Sequence, residues 1–158
     1  MVDATQKGKL TEARIAGRRS VSRERGNLRG PAGSYTPIEA LLVEDSLLNA
    51  LVAIKYLTPF CAVDHTSCGA DAVEHARAKQ YDVILMDVDL GPGIDGIETL
   101  QRIRSIPGCE QIPAVALTGY AKLADKERLF ALGFTQYLAK PYIEEALVTL
   151  IESVLVKP

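Results

Sequence analysis

The stretch VILMDVDLGPGIDG, residues 83–96, carries an apolar run that stops at Asp87 and is followed by a second acid and a glycine-rich turn. An uninterrupted apolar run of this length is typical of a strand that is buried on both faces in the middle of a parallel sheet. Asp89 follows two residues later, and Asp95 stands just before a helical pattern, where it is expected to cap the helix. The stretch therefore predicts a central strand with carboxylates at its carboxyl end.

Around this stretch, short apolar runs alternate with amphipathic segments along residues 37–158. Strands are predicted at 39–44, 61–66, 82–87, 112–118 and 135–139, and helices at 46–57, 69–80, 95–106, 121–133 and 141–155. Ser46 is expected to cap the first helix, Gly133 to close the fourth, and Pro141 to lie in the first turn of the last. The alternation predicts an α/β domain built on a doubly wound parallel sheet.

The charge of the chain is divided unevenly. Residues 1–36 hold eight Lys or Arg and three Asp or Glu, whereas residues 37–158 hold ten and seventeen. The first 36 residues contain few large apolar side chains, so we interpret them as a flexible basic tail and residues 37–158 as the folded domain. Because no aromatic residue is interleaved with the arginines, the tail does not favour nucleic-acid binding.

The composition also limits where the protein is found in the cell and which kinds of metal site it can contain. No apolar stretch approaches the roughly 18 residues that a membrane span needs. The three cysteines show no CxxC spacing and only two histidines are present, which argues against a zinc site. We expect a reduced, cytoplasmic protein with no membrane association.

Polar residues lie at the ends of all five predicted strands. Thr66 at the end of the second adds little, and the others are Glu44 and Asp45, then Asp87, then Thr118, then Lys140. Right-handed crossovers bring the carboxyl ends of parallel strands to one edge of the sheet, where such sheets bind ligands. Clustered carboxylates repel one another unless a cation such as Mg²⁺ lies between them. With the lysine and the hydroxyl they make a site for a phosphoryl group, and Asp87 is the best placed nucleophile.

Five blocks of the sequence, in this order, resemble the receiver domain of bacterial two-component response regulators. They are LLVEDS (41–46), YDVILMDVDL (81–90), DGIETLQRIR (95–104), VALTGYA (115–121) and LGFTQYLAKPY (132–142). The resemblance spans about residues 38–156 and is similar in character to the receivers of hybrid sensor kinases.

The resemblance implies a flavodoxin-like (βα)₅ fold with strand order 2-1-3-4-5. It implies that Asp87 is the phosphoacceptor, that Thr118 and Lys140 contact the phosphoryl oxygens, and that the Lys140–Pro141 peptide is cis. Mg²⁺ would be held by Asp45 and Asp87, by Glu44 through water, and by the backbone carbonyl of Asp89. Tyr137 matches the aromatic residue whose rotamer reports phosphorylation.

The function that the resemblance implies is a phosphorelay receiver, not an enzyme acting on other substrates. A sensor histidine kinase or a histidine phosphotransfer protein would donate the phosphoryl group. The output would be a contact with a downstream protein, through the face formed by the fourth helix, fifth strand and fifth helix, since only three residues follow the last predicted helix. A homodimer remains an alternative form of the signalling state.

One departure from the family pattern lies in the loop 88–95. Many receivers carry the Asp-Gly pair one residue closer to the acceptor than Asp95 and Gly96 are here. We expect the Asp89 carbonyl to keep its place and the loop that enters the third helix to be reshaped.

Two alternatives stay open from the residues themselves. The first is a haloacid-dehalogenase-like phosphatase that uses Asp87 and Asp89. The upstream position of the acid pair and the lack of room for a substrate cap argue against it. The second is a degenerate receiver that acts only as a docking module.

Overall fold

The computed structural model describes residues 37–119 and 123–156, with residues 123 and 124 described for their backbone alone. The predicted basic tail, residues 1–36, lies outside this range, as do Tyr120 and Ala121 of the VALTGYA block. The division into a tail and a folded domain therefore stays a prediction. No helix within the described ranges combines the length and the hydrophobicity of a membrane span.

Five strands alternate with five helices along the described residues. The strands are β1 Ile38–Val43, β2 Cys61–Thr66, β3 Val83–Asp87, β4 Ala114–Thr118 and β5 Gln136–Ala139. The helices are α1 Leu47–Leu57, α2 Gly69–Ala78, α3 Gly96–Arg104, α4 Leu123–Ala131 and α5 Glu144–Leu155. The strands form one parallel sheet in the order β2-β1-β3-β4-β5, which confirms the predicted fold and strand order.

Burial of both faces of the sheet explains why β3 is apolar up to its last residue, Asp87. Ile84 and Met86 point into one hydrophobic cluster, which includes residues of α2 and α3. Val83 and Leu85 point into a second cluster on the opposite face, which includes residues of α1 and α5. Successive side chains of a strand alternate between faces, so a strand covered on both sides has no polar position until it reaches the edge.

The helix ends follow the predicted capping chemistry, except at the last helix. Ser46 accepts a hydrogen bond from the backbone of Asn49, Asp95 accepts one from that of Glu98 at 2.8 Å, and Gly133 takes a positive φ of 97° after α4. Except for the start of the last helix, predicted boundaries fall within two residues of the observed ones.

The prediction that Pro141 lies in the first turn of the last helix is wrong. The Lys140–Pro141 peptide is cis, as the resemblance implies, and Pro141 belongs to the turn that leaves β5. The helix starts at Glu144, after Ile143 in an extended conformation. A proline just before a helical pattern suits either the first turn or the preceding connection, and the sequence does not distinguish the two.

The start of α3 packs directly against the backbone of the proposed phosphoacceptor. A Cβ atom at Gly96 would overlap the carbonyl oxygen of Asp87 and lie 2.9 Å from the Cα of Val88. Its backbone N–H also donates to the Val88 carbonyl at 3.2 Å. Only glycine lets the helix approach the end of β3 this closely.

Gly96→Ala is therefore expected to lower the free energy of unfolding by about 1–3 kcal/mol, the usual cost of overpacking a tight site. Gly119→Ala is the matched control, because within the described residues no atom lies within 4 Å of its added Cβ. Urea denaturation of both variants measures the difference. Equal stability of the two would contradict the close contact.

Candidate functional site

Three carboxylates meet at the carboxyl edge of the sheet because β1 and β3 are neighbours in register. Val43 pairs with Met86, which sets the following residues, Glu44 and Asp87, side by side. Ligand oxygens of Glu44, Asp45 and Asp87 all lie within 4.8 Å of one another. Glu44 and Asp87 are 1% and 5% exposed, whereas Asp45 is exposed to solvent.

Lys140 reaches this cluster from the end of β5. Its Nζ lies 2.6 Å from Glu44 Oε2 and 3.0 Å from Asp87 Oδ2, and its side chain is 18% exposed. Burial lowers the pKa of the Lys140 ammonium, but hydrogen bonds to the two carboxylates outweigh burial, so that the net pKa is raised. The lysine is thus a fixed positive charge between two buried acids.

Backbone N–H groups orient the carboxylates. The Asp89 N–H donates to Asp87 Oδ1 at 3.0 Å, and the Ser46 N–H donates to Glu44 Oε1 at 3.2 Å. Asn49 adds a side-chain donor to the same glutamate oxygen at 3.3 Å. These contacts hold the Asp87 carboxylate from two sides, by the Asp89 amide and by Lys140.

The sequence did not predict the groups that donate hydrogen bonds to Glu44 and Asp87, nor the part played by Tyr142. Asn49 lies one helical turn after Asp45, which is a signal that could have found it, whereas backbone donors leave no trace in residue type. Burial raises the pKa of Tyr142 to about 12, with further contributions from the charges of Glu44, from Tyr56 and from Asp87. The raised pKa keeps its hydroxyl protonated well into the alkaline range.

Thr118 ends β4 at the same edge and is only 3% exposed. Its carbonyl accepts a hydrogen bond from the Lys140 backbone at 2.8 Å, which ties the ends of β4 and β5 together. Thr118 also lines a cavity of about 130 Å³ between the sheet edge, α3 and α4. The other described residues that line this cavity are Val88, Asp89, Ile97, Asp125, Arg128 and Leu129. The cavity gives room next to the threonine.

Tyr137 lies on β5 and is half-buried against α4. Its ring meets Phe130 edge-on, with centroids 6.3 Å apart, and Lys126 Nζ lies 4.6 Å from the ring centroid. The contacts hold the aromatic ring against the helix that borders the cavity. A change of its rotamer on phosphorylation stays a prediction.

The donor set fits Mg²⁺. Three carboxylates face one ammonium, so negative charge is in excess, and all three offer the hard oxygen ligands that Mg²⁺ prefers. The exposure of Asp45 leaves space for the waters that this ion keeps. The Asp89 side chain is exposed, which agrees with a role for its backbone alone.

The family model described as the response regulator receiver domain matches residues 40–152. The chain belongs to this family. The match includes every residue of the acid cluster as well as Thr118, Tyr137 and Lys140. It does not favour the phosphatase alternative.

Relatives of known function and structure agree with the family. The receiver is 39% identical over 89 residues to the signal transduction histidine-protein kinase BarA of Escherichia coli strain K12, a match that covers 56% of this chain and 10% of the kinase. The chain thus spans about a tenth of that kinase's length. It is 30% identical over 121 residues to the polar-differentiation response regulator DivK of Brucella anthropi, which covers 75% of the receiver and 97% of DivK.

A solved structure of the receiver domain of the sensor histidine kinase PA1611 from Pseudomonas aeruginosa superposes with a TM-score of 0.70. It is 33% identical and covers 76% of this chain and 98% of that domain. That structure has a magnesium ion coordinated in its active site cleft.

Proposed function

We propose that this receiver accepts a phosphoryl group on Asp87 from a phosphohistidine donor, in a Mg²⁺-dependent reaction, and signals by a change of conformation. The observation that carries the proposal is the 5% exposed Asp87 carboxylate, with Lys140 Nζ 3.0 Å away and two further acids beside it. On this proposal the domain promotes only its own phosphorylation and dephosphorylation. A cytoplasmic location is part of the same proposal.

In the proposed reaction an Asp87 oxygen attacks the phosphorus of the donor. The P–N bond breaks as the P–O bond forms, and the electron pair of the broken bond stays on the imidazole nitrogen. Lys140 compensates the charge on the phosphoryl oxygens, and the Thr118 hydroxyl donates to one of them. The Asp89 N–H keeps the carboxylate in one orientation throughout.

Asp45, Asp87 and the Asp89 carbonyl would hold Mg²⁺, with Glu44 acting through water. When bound, the ion would supply positive charge shared by the carboxylates and the phosphoryl oxygens. The acyl phosphate adds roughly −1.5 to −2 charges by analogy with other phosphorylated side chains, which is the change that the switch reads. Thr118 would move toward the new oxygens and Tyr137 inward into the vacated space.

The α4-β5-α5 face is the surface that would report this change to a downstream protein. It carries Tyr137 and, next to it on α4, Phe130, a large apolar residue that is 45% exposed. A second copy of the chain is the alternative occupant.

Mg²⁺ is expected to raise the melting temperature of the wild-type chain, because an ion that binds only the folded state stabilises it by mass action. At a Mg²⁺ concentration of one hundred times the Kd, the free energy of unfolding increases by about 2.7 kcal/mol. Asp45→Asn should remove most of the increase. Asp71→Asn, an exposed acid on α2 outside the cluster, is the matched control and should keep it. A thermal melt series with Mg²⁺, at constant ionic strength, makes the comparison. A wild-type melting temperature that does not respond to Mg²⁺ would contradict the metal site.

Four exposed apolar side chains, together called the apolar patch, follow the ends of β1 and β5, the strands after which Glu44 and Lys140 lie. Leu47, Leu48 and Leu51 on α1 are 69%, 73% and 54% exposed, and Ile143 after the Lys140–Pro141 turn is 65% exposed. Because Asp87 is almost buried, a protein donor must cover the surface around its opening to bring a phosphohistidine to it. We propose that this patch receives the donor.

Leu48→Asp is therefore expected to slow phosphotransfer from a histidine phosphotransfer protein by about tenfold or more, which corresponds to about 1.4 kcal/mol of lost contact. Labelling by acetyl phosphate should be unchanged, because a small donor needs no docking surface. Val156→Asp, at the far end of α5 and 49% exposed, is the control and should leave both rates alone. Equal slowing with both donors would show that the substitution damages the site itself.

A further inference from the structure

The lengthened loop 88–95 makes a direct contact with one of the three acids. The Gly91 N–H donates to Asp45 Oδ2 at 3.0 Å, across 46 residues of sequence. Among the described residues, the Gly91 N–H is the hydrogen-bond donor to the Asp45 carboxylate. Glu44 and Asp87, by contrast, are nearly buried and are each held by Lys140 and a neighbouring amide.

An exposed aspartate at the start of a loop has several accessible rotamers, and ordering it around an ion costs entropy. A donor on one carboxylate oxygen fixes the side chain and leaves the other oxygen for the metal. Such outer-shell partners typically change metal affinity by about 10–100-fold. We infer that Gly91 is a positioning residue, whose backbone N–H presents Asp45 to Mg²⁺. The inference rests on the proposed Mg²⁺-dependent function.

The residue type at position 91 follows from the same contact. A Cβ atom there would lie 3.1 Å from Asp45 Oδ2, closer than ordinary van der Waals contact. The backbone of Gly91 is not in the left-handed region, in contrast to Gly93, so alanine is compatible with its conformation. Gly91→Ala thus keeps the N–H and displaces only the carboxylate that it holds.

Isothermal titration with MgCl₂ on wild type, Gly91→Ala and Pro92→Ala tests the assignment. Gly91→Ala is expected to weaken Mg²⁺ binding by up to about tenfold, the lower end of the cost of losing an outer-shell partner, because it displaces the carboxylate but keeps the N–H. Pro92→Ala, which changes the same exposed loop without touching Asp45, should bind as wild type does. Urea unfolding without Mg²⁺ should give stabilities within about 1 kcal/mol of wild type, the usual effect of such changes on the entropy of the unfolded chain.

The outcomes separate this inference from the proposed function. Wild-type affinity in Gly91→Ala would overturn the positioning role and leave the metal site intact. A loss of stability larger than about 1 kcal/mol in Gly91→Ala without Mg²⁺ would also overturn it, since the residue would then act on the fold. A wild-type chain that binds no Mg²⁺ would refute the proposed metal site itself.

Discussion

Asp87→Asn is expected to take up no phosphate, either from acetyl phosphate or from a phosphorylated histidine protein. The amide oxygen is a far weaker nucleophile than the carboxylate, and no acyl phosphate forms on it. The variant should fold, because it removes one negative charge from a cluster of three. Radiolabel retained by the folded protein after gel filtration measures the uptake.

Asp89→Asn is the matched control for this substitution. Its side chain is exposed, and the structure uses its N–H, which the change preserves. Labelling of Asp89→Asn is expected to persist. Incorporation of label into Asp87→Asn would show that another residue accepts the phosphoryl group. A wild-type chain that no donor labels would favour the degenerate, docking-only alternative.

Lys140→Met is expected to have the largest effect on stability and to slow phosphorylation severely. It leaves Glu44 and Asp87, 1% and 5% exposed, without their shared cation. Removing one partner of a buried ion pair typically costs about 3–5 kcal/mol, because the remaining charge is uncompensated. Urea denaturation without Mg²⁺ measures the cost, and acetyl phosphate labelling of the folded variant measures the rate.

Lys79→Met provides the comparison, since Lys79 also bridges two carboxylates, Glu39 at 2.6 Å and Asp64 at 2.8 Å. Its side chain is 32% exposed, so the pairs are partly screened by solvent. We expect a cost of about 1 kcal/mol or less and unchanged labelling. Equal losses from the two lysine variants would show that the burial of the site is not what makes Lys140 important.

The positions of the strands and of most helix ends were predictable from the sequence, because the features that determine them are local. An apolar run that stops at Asp87 indicates a doubly covered strand, and Asp95 and Gly133 mark helix ends through their own side chain or backbone preference. One topological rule about parallel strands places Glu44, Asp87 and Lys140 at the same edge of the sheet. That β1 and β3 are neighbours there followed from the strand order that the resemblance implies.

The features that could not be predicted from the sequence are those that depend on the path of the backbone through loops and turns. The contact from the Gly91 N–H to Asp45 is set by the shape of the loop, and every residue offers the same N–H group. The placement of Pro141 in a turn, three residues before α5, likewise depends on how β5 must connect to that helix. The roles assigned to Thr118 and Tyr137 concern a second conformation, which a single structure does not contain.

The position of the phosphoryl group on the wild-type chain tests the account most directly. Borohydride reduction after incubation with acetyl phosphate and Mg²⁺ converts a phosphorylated aspartate to homoserine, and mass spectrometry of the peptides locates it. We expect homoserine at position 87 alone, and none when Mg²⁺ is omitted. Homoserine at Asp45 or Asp89, or formed equally well without Mg²⁺, would contradict it.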